Sequence, residues 1–204
     1  LVNTIYAENE RVLAELHEEA GDREAGKVMR ERAAKTTASL VNKCWDQATG
    51  LFYDLAGRRE ELLKVSTVTS LMPILLPDLP REMAEALAKH IANPKEYAAK
   101  YPVPSTALNE PLYMAPSDGR PELDSKLLWR GPSWINTNWY IARGLRRHGF
   151  GDLARTIEDR SGELIEKGGF REYYDPGTGE GFGAHAFSWT GLVLNMLADH
   201  EGVA

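Results

Sequence analysis

Three segments of this chain are apolar almost all the way round a helix, and amphipathic helices stand between them. The first runs over residues 65–76, interrupted by Pro73, which should kink or end it. The second covers 135–148, with Trp139, Tyr140, Ile141 and Leu145, and the third covers 187–197. A helix without a polar face has to be buried on most sides, whereas one with a single apolar stripe lies half exposed. Four segments have such a stripe. Residues 4–18 place Ile5, Val12, Leu13 and Leu16 on it, and a longer helix from Gly21-Asp22 to Cys44 places Met29, Ala33, Thr36, Leu40 and Cys44. A third begins at Leu79-Pro80-Arg81-Glu82, with Pro80 at the first helical position and Met83, Leu87 and Ile91 inward. A fourth is capped by Asp152 and turns Leu153, Ile157, Leu164 and Ile165 to the core. Buried helices alternating with half-exposed ones predict two concentric layers, an all-α toroid with inner and outer helices. By length, residues 1–204 read as a single segment, one domain or one piece of a larger domain.

Short aromatic stretches interrupt the helices. Trp45-Asp46-Gln47-Ala48-Thr49-Gly50 is a turn feeding a strand at Leu51-Phe52-Tyr53-Asp54. Phe170, Glu172 and Tyr174 alternate as a second short strand with those side chains on one face, closed by the turn Asp175-Pro176-Gly177. The two Asp-x-x-Thr-Gly turns echo one another, as a repeated helix–loop–helix unit would, although two such turns also arise by chance. Residues 93–133 are rich in Pro, Tyr, Asn, Ser and Asp, a long irregular connection of the kind that usually carries function.

Global properties narrow the partners. A net charge of −6 with scattered basic residues argues against nucleic acid or an anionic membrane. No apolar run reaches the length of a membrane span. Cys44 is the only cysteine, which rules out an internal disulfide and a cysteine-based zinc site and fits a reducing, cytoplasmic location. The opening Leu1-Val2-Asn3-Thr4-Ile5-Tyr6 lies inside a helical pattern, without initiator Met or signal peptide, as if the chain starts partway through a longer one.

Three places could carry chemistry. Glu172 sits between Phe170 and Tyr174, beside Tyr173; a poorly solvated carboxylate there suits proton transfer, and a solvated residue on an edge strand is the alternative. Trp129-Arg130-Gly131-Pro132-Ser133-Trp134 sets two indoles around an Arg on a Gly-Pro turn. Indoles stack on sugar faces and Arg forks to hydroxyls or a carboxylate, though both Trp could equally be core anchors. In residues 179–190, the glycines let the backbone approach a ligand, with His185 and Trp189 as contacts; His185 could also be a local cap. That stretch lacks the Lys and Ser/Thr of a phosphate loop, and Ser188 lacks a nucleophile elbow. No His or carboxylate spacing suits a metal, and no cofactor is expected. His17, His90, His148 and His200 read as surface or helix-end groups.

In order and spacing, these segments resemble the C-terminal half of the (α/α)6-barrel glycosidases of glycoside hydrolase family 63, in particular the mannosylglycerate and glucosylglycerate hydrolase branch. The stretches are Trp129 to Asn136, Phe170 to Pro176, Gly179-Glu180-Gly181 with Phe187-Ser188-Trp189-Thr190, and Trp45-Asp46 with Gly50 to Asp54. The resemblance implies an inverting α-glycosidase acting on a small carbohydrate. In it Glu172 is the general base, and Trp129, Arg130 and Trp134 form the substrate-facing turn, with Tyr173, His185 and Trp189 as further contacts. Leu128 stands where the family often has an aromatic residue. The resemblance also implies that the general acid is an Asp of the N-terminal half. Among this chain's loop carboxyls, Asp54, Glu110, Asp124 and Asp175, none lies in the family's acid motif. The expectation is therefore a C-terminal half (a fragment, a truncated gene product or one part of a split enzyme) that is inactive alone and completed by the missing half or by self-association. Two other readings are a non-catalytic carbohydrate-binding or assembly module and a sugar epimerase or isomerase. The latter chemistry wants paired His, and His185 is the only His in a candidate loop.

Overall fold

A computed structural model describes residues 1–118 and 129–201. Helix α1 (Val2–Glu19) packs along α2 (Arg23–Cys44), and Asp22 caps α2 by accepting from Ala25 N–H at 3.1 Å. Two hairpins follow, β1 (Trp45–Asp46) with β2 (Leu51–Phe52) and β3 (Asp54–Ala56) with β4 (Glu61–Leu63). Then come α3 (Val68–Leu71), running into a 3-10 turn at Met72–Leu75, and α4 (Arg81–Ile91). After the irregular connection, α5 (Ile135–Arg147) packs on α6 (Gly151–Gly168). A third hairpin, β5 (Arg171–Tyr174) with β6 (Gly181–His185), leads through a 3-10 turn at Ser188–Leu192 into α7 (Val193–Glu201), which lies against α5 and α6. Seven α-helices and three two-stranded hairpins among the described residues make part of an α/α toroid, as the helical alternation predicts.

Four local expectations need correction. The helix expected over 65–76 is only α3 and its 3-10 turn, because Pro73 has no N–H to give and its ring crowds the preceding turn. Pro80 is the N-cap of α4 rather than its first residue, and Phe150 rather than Asp152 precedes α6, leaving Asp152 in the first turn. The largest correction concerns α1. Its buried face is Thr4, Ala7, Glu8, Glu10 and Ala14, while Val12, Leu13 and Leu16 are exposed. Small side chains let α1 approach α2 closely: a Cβ on Gly26 would stand 3.0 Å from the Ala14 carbonyl oxygen. Close backbone approach decides this face, and the larger apolar residues are left outside.

The main core joins Leu71, Met72, Ile74, Leu87, Ile91, Val103, Ile141 and Leu145, all essentially inaccessible. Its tightest contact is between α5 and the 3-10 turn, where a Cβ on Gly144 would lie 2.6 Å from the Ile74 carbonyl. A second core holds Tyr101, Ile135, Leu164, Tyr174, Val193 and Met196 beneath the third hairpin. Ion pairs fasten the helices at their ends: Arg146 to Glu158, and Arg147 to Glu8 as well as to the Leu75 carbonyl. Among the described residues, no helix is long and apolar enough to cross a membrane.

Candidate active site

The irregular connection is the strap that assembles the site. Residues 101–107 are buried, and isolated β-bridges tie them together with segments far apart in sequence. Thr67 pairs with Thr106, Pro104 with Ser133, and Ser133 with Tyr174. The last bridge counts most for the site. Ser133 N–H donates to the Tyr174 carbonyl at 2.9 Å and Tyr174 N–H returns the bond at 3.0 Å. The Ser133 hydroxyl also donates to the Tyr101 carbonyl at 2.7 Å. The Trp129–Trp134 turn is thereby held edge to edge with the strand that bears Glu172. Asn138 locks the strap from α5: its side-chain oxygen accepts from Val103 N–H at 2.9 Å, and its nitrogen donates to the Pro102 carbonyl at 2.8 Å and to Ser161 at 3.0 Å. Gly131 is sterically required here, since a Cβ would overlap the Met114 carbonyl oxygen at 1.8 Å.

Four of the aromatic residues expected at the site come together. Trp129 stacks on Trp134 with ring centres 4.0 Å apart and planes within 6°. Trp134 meets Tyr173 at 5.0 Å and the edge of Trp189 at 5.4 Å. Tyr173 in turn stacks on Phe182 across the hairpin. The two indoles differ in role: Trp134 is buried at the centre, and Trp129 lies over it with 44% of its surface exposed. Trp134 supports Trp129 from below. The Trp134 indole N–H is buried with no acceptor among the described residues.

Glu172 stands beside this cluster, half-buried on β5. Its Oε2 accepts from Ala184 N–H at 3.1 Å, and its main-chain carbonyl accepts from the Trp189 indole at 3.1 Å. The neighbouring Arg171 carbonyl takes the Thr190 hydroxyl at 2.5 Å, so the turn into α7 grips β5 from behind. Burial, and next the Glu172 charge, push the Tyr173 phenol above its ordinary pKa, which keeps it a neutral hydrogen-bond donor. The expected alternation of Phe170, Glu172 and Tyr174 on one face does not hold. Tyr174 is fully buried, with its hydroxyl bonded to the Gly169 carbonyl at 2.6 Å, while Phe170 lies outside the strand and is 43% exposed. The strand begins only at Arg171, so Phe170 does not share its alternation.

Other candidates have different duties. His185 is on β6 rather than at a helix start; it is exposed and accepts from Arg171 at 2.5 Å, with no ring contact to the aromatic cluster among the described residues. The Arg130 carbonyl accepts from Met114 N–H at 2.8 Å, and its guanidinium makes no ion pair among the described residues. Asp175 is buried, its oxygens taking the N–H groups of Gly177 at 2.8 Å, Thr178 at 2.7 Å and Ser117 at 3.0 Å. Burial alone would raise this carboxyl, but donors from Ser117, Thr178 and Gly177 together outweigh it and hold the pKa below the ordinary aspartate value. Glu110 accepts from Ser66 N–H at 2.6 Å. Asp54 is exposed on β3 and lines a cavity of about 540 Å3 with Leu1, Cys44 and Thr69, which includes none of the aromatic cluster. Asp124 and Leu128 lie outside the described residues. Among the described residues, no group of three or more His, Cys, Asp or Glu side chains could hold a metal ion.

Two duties escaped the sequence reading. Asn138 positions the strap, and the sequence marks it only as one of two asparagines, with Asn136, at the start of a helix apolar on most sides. Gly183 makes room for Glu172, a role visible only once β5 and β6 are paired.

Comparison with known proteins bears on this arrangement. Residues 1–190 match the family model described as the mannosylglycerate hydrolase MGH1-like glycoside hydrolase domain. A mannosylglycerate hydrolase of Rubrobacter radiotolerans is 31% identical over 95% of this chain and 42% of its own length. A glucosylglycerate hydrolase of Mycolicibacterium hassiacum is 32% identical over 74% of this chain and 33% of its own. The crystal structure of the family 63 mannosylglycerate hydrolase of Thermus thermophilus, in complex with Tris, superimposes with a TM-score of 0.82 at 30% identity, over 97% of this chain and 44% of that one. The chain thus spans less than half the length of these proteins, and the match falls on their C-terminal part.

Proposed function

The chain belongs to the mannosylglycerate hydrolase MGH1-like glycoside hydrolases of family 63, and on that premise we propose that it supplies the general base and part of the sugar site of an inverting α-glycosidase. The substrate is a small α-mannoside or α-glucoside such as mannosylglycerate or glucosylglycerate. One observation carries the reading: Glu172, whose main-chain carbonyl takes the Trp189 indole N–H, adjoins an aromatic cluster whose outer member, Trp129, keeps 44% of its surface exposed. A pyranose stacked on Trp129 would have its anomeric carbon approached by a water held at Glu172. As the glycosidic bond breaks, Glu172 takes the proton of water, the water oxygen bonds to the anomeric carbon, and the leaving oxygen takes a proton from a second carboxylic acid. In inverting enzymes these two carboxyls stand roughly 6.5–9.5 Å apart. Both Asp175 oxygens are taken by backbone N–H groups, one Glu110 oxygen accepts from Ser66 N–H, and Asp54 is exposed away from the cluster. With none of these, nor Asp124, in the acid motif that the resemblance implies, we assign the acid to residues outside this chain, contributed by the remainder of the toroid.

The exposed side of α1 supports the same assignment. Val2, Tyr6, Leu13 and Leu16 form an exposed apolar stripe at helical spacing, a face suited to another helix of the toroid. The lone unpaired Cys44 fits a reducing compartment, and a cytoplasmic location belongs to this reading. An epimerase or isomerase is disfavoured because His185, the only His of the candidate loops, is engaged by Arg171.

Glu172→Gln, made in this chain and assayed with the rest of the barrel supplied, separates a catalytic chain from a binding module. Turnover should fall about 10²–10⁴-fold while sugar affinity is retained. Turnover close to wild type would remove Glu172 from the reaction.

A further inference from the structure

Glu172 faces an irregularity in its own hairpin. Arg171 pairs with His185 and Tyr173 with Phe182, so the single residue Glu172 stands opposite two, Gly183 and Ala184. Gly183 adopts φ +71°, the left-handed conformation characteristic of a bulge built on glycine. That turn of the backbone aims Ala184 N–H at Glu172 Oε2, 3.1 Å away. It also clears the space the side chain needs. A Cβ on Gly183 would lie 2.6 Å from Glu172 Oε2, 2.7 Å from its Cβ and 2.8 Å from the Tyr173 ring. Among the described residues, the hydrogen bond to the carboxylate falls on Oε2 and not on Oε1.

We infer that this bulge positions the general base: Ala184 N–H holds the carboxylate by Oε2, leaving Oε1 as the oxygen that takes the proton of water. Gly183 and Ala184 are positioning residues, acting through Glu172. The inference rests on Glu172 being the base, and it adds which oxygen reacts and what sets its direction. Tyr173 is the neighbour of Glu172 on β5, the Trp189 indole is bonded to the Glu172 main-chain carbonyl at 3.1 Å, and Arg171 is bonded to His185 within the hairpin.

The contact is read directly by following the Ala184 amide proton of the 204-residue chain by NMR through a pH titration. An amide bonded to a carboxylate moves with its ionisation. The expected result is an inflection at the midpoint of the Glu172 Cδ resonance, absent in Glu172→Gln. An amide without that inflection, or unchanged in Glu172→Gln, overturns the contact. The function of the contact is read in the completed barrel with Gly183→Ala and Gly183→Asn. Asn tolerates a left-handed φ but carries a Cβ, so both variants should lose about 10²-fold in kcat with KM little changed, as a misplaced reacting group does. An unchanged kcat in the folded variants overturns the positioning role even if Glu172→Gln is inactive. An active Glu172→Gln overturns the base assignment instead, with the amide inflection still present in the unsubstituted chain.

Discussion

Among the side chains of the site, Asp175 shows how residue chemistry separates a structural carboxylate from a reactive one. Its three N–H donors favour the ionised form, so its folded pKa lies below the value in the unfolded chain. The stability it contributes is therefore fully present above the unfolded value of about 3.9 and is lost as pH falls through the lower folded value. Asp175→Asn would set an amide N–H against one of those donors and cost about 1–3 kcal/mol at neutral pH. In chemical denaturation across pH, the gap between wild type and variant should close below about pH 4. A gap independent of pH would mean that Asp175 does not titrate in this way. At this scale the sequence was partly legible. Asp-Pro-Gly announced a turn, but the third donor, from Ser117, comes from a segment 58 residues away and leaves no local mark.

At the scale of elements, periodicity located the helices better than it oriented them. Most of α2, α4 and α5 begin and end close to where caps, Gly and Pro put them, because those signals are local. The inward face of α1 was misread because Ala7, Ala14 and Gly26 set a backbone approach that hydrophobicity does not register. Likewise, the bulge opposite Glu172 depends on the pairing of β5 with β6 and not on either strand alone. The two Asp-x-x-Thr-Gly turns share a local geometry. Gly50 and Gly179 both take left-handed φ, each closing a turn with its N–H on the carbonyl of the Asp four residues back. The α1 stripe yields a prediction of its own. Leu13→Glu with Leu16→Glu should change the chain's stability by no more than about 0.5 kcal/mol per site, as substitutions at exposed positions do, while reducing self-association in sedimentation. A large loss of stability would show that this face is already covered within the chain.

On the scale of the whole molecule, the chain is a section of a toroid whose site is gathered by long-range straps. The Trp129–Trp134 turn, the 101–107 segment and β5 meet around Ser133, which bonds to Tyr101 and pairs with Pro104 and Tyr174, and Asn138 holds the 101–107 segment from α5. The aromatic cluster was foreseeable as a set of residues, whereas its layering, with Trp129 over Trp134, follows from packing. The central claim is that Glu172 is one carboxyl of an inverting pair whose partner lies outside this chain. It is tested most directly by measuring hydrolysis of mannosylglycerate and glucosylglycerate by the purified 204-residue chain, alone and with the rest of the toroid added. The account predicts no turnover by the chain alone and turnover on completion. Clear turnover by the chain alone would contradict it and place the general acid among the residues of this chain.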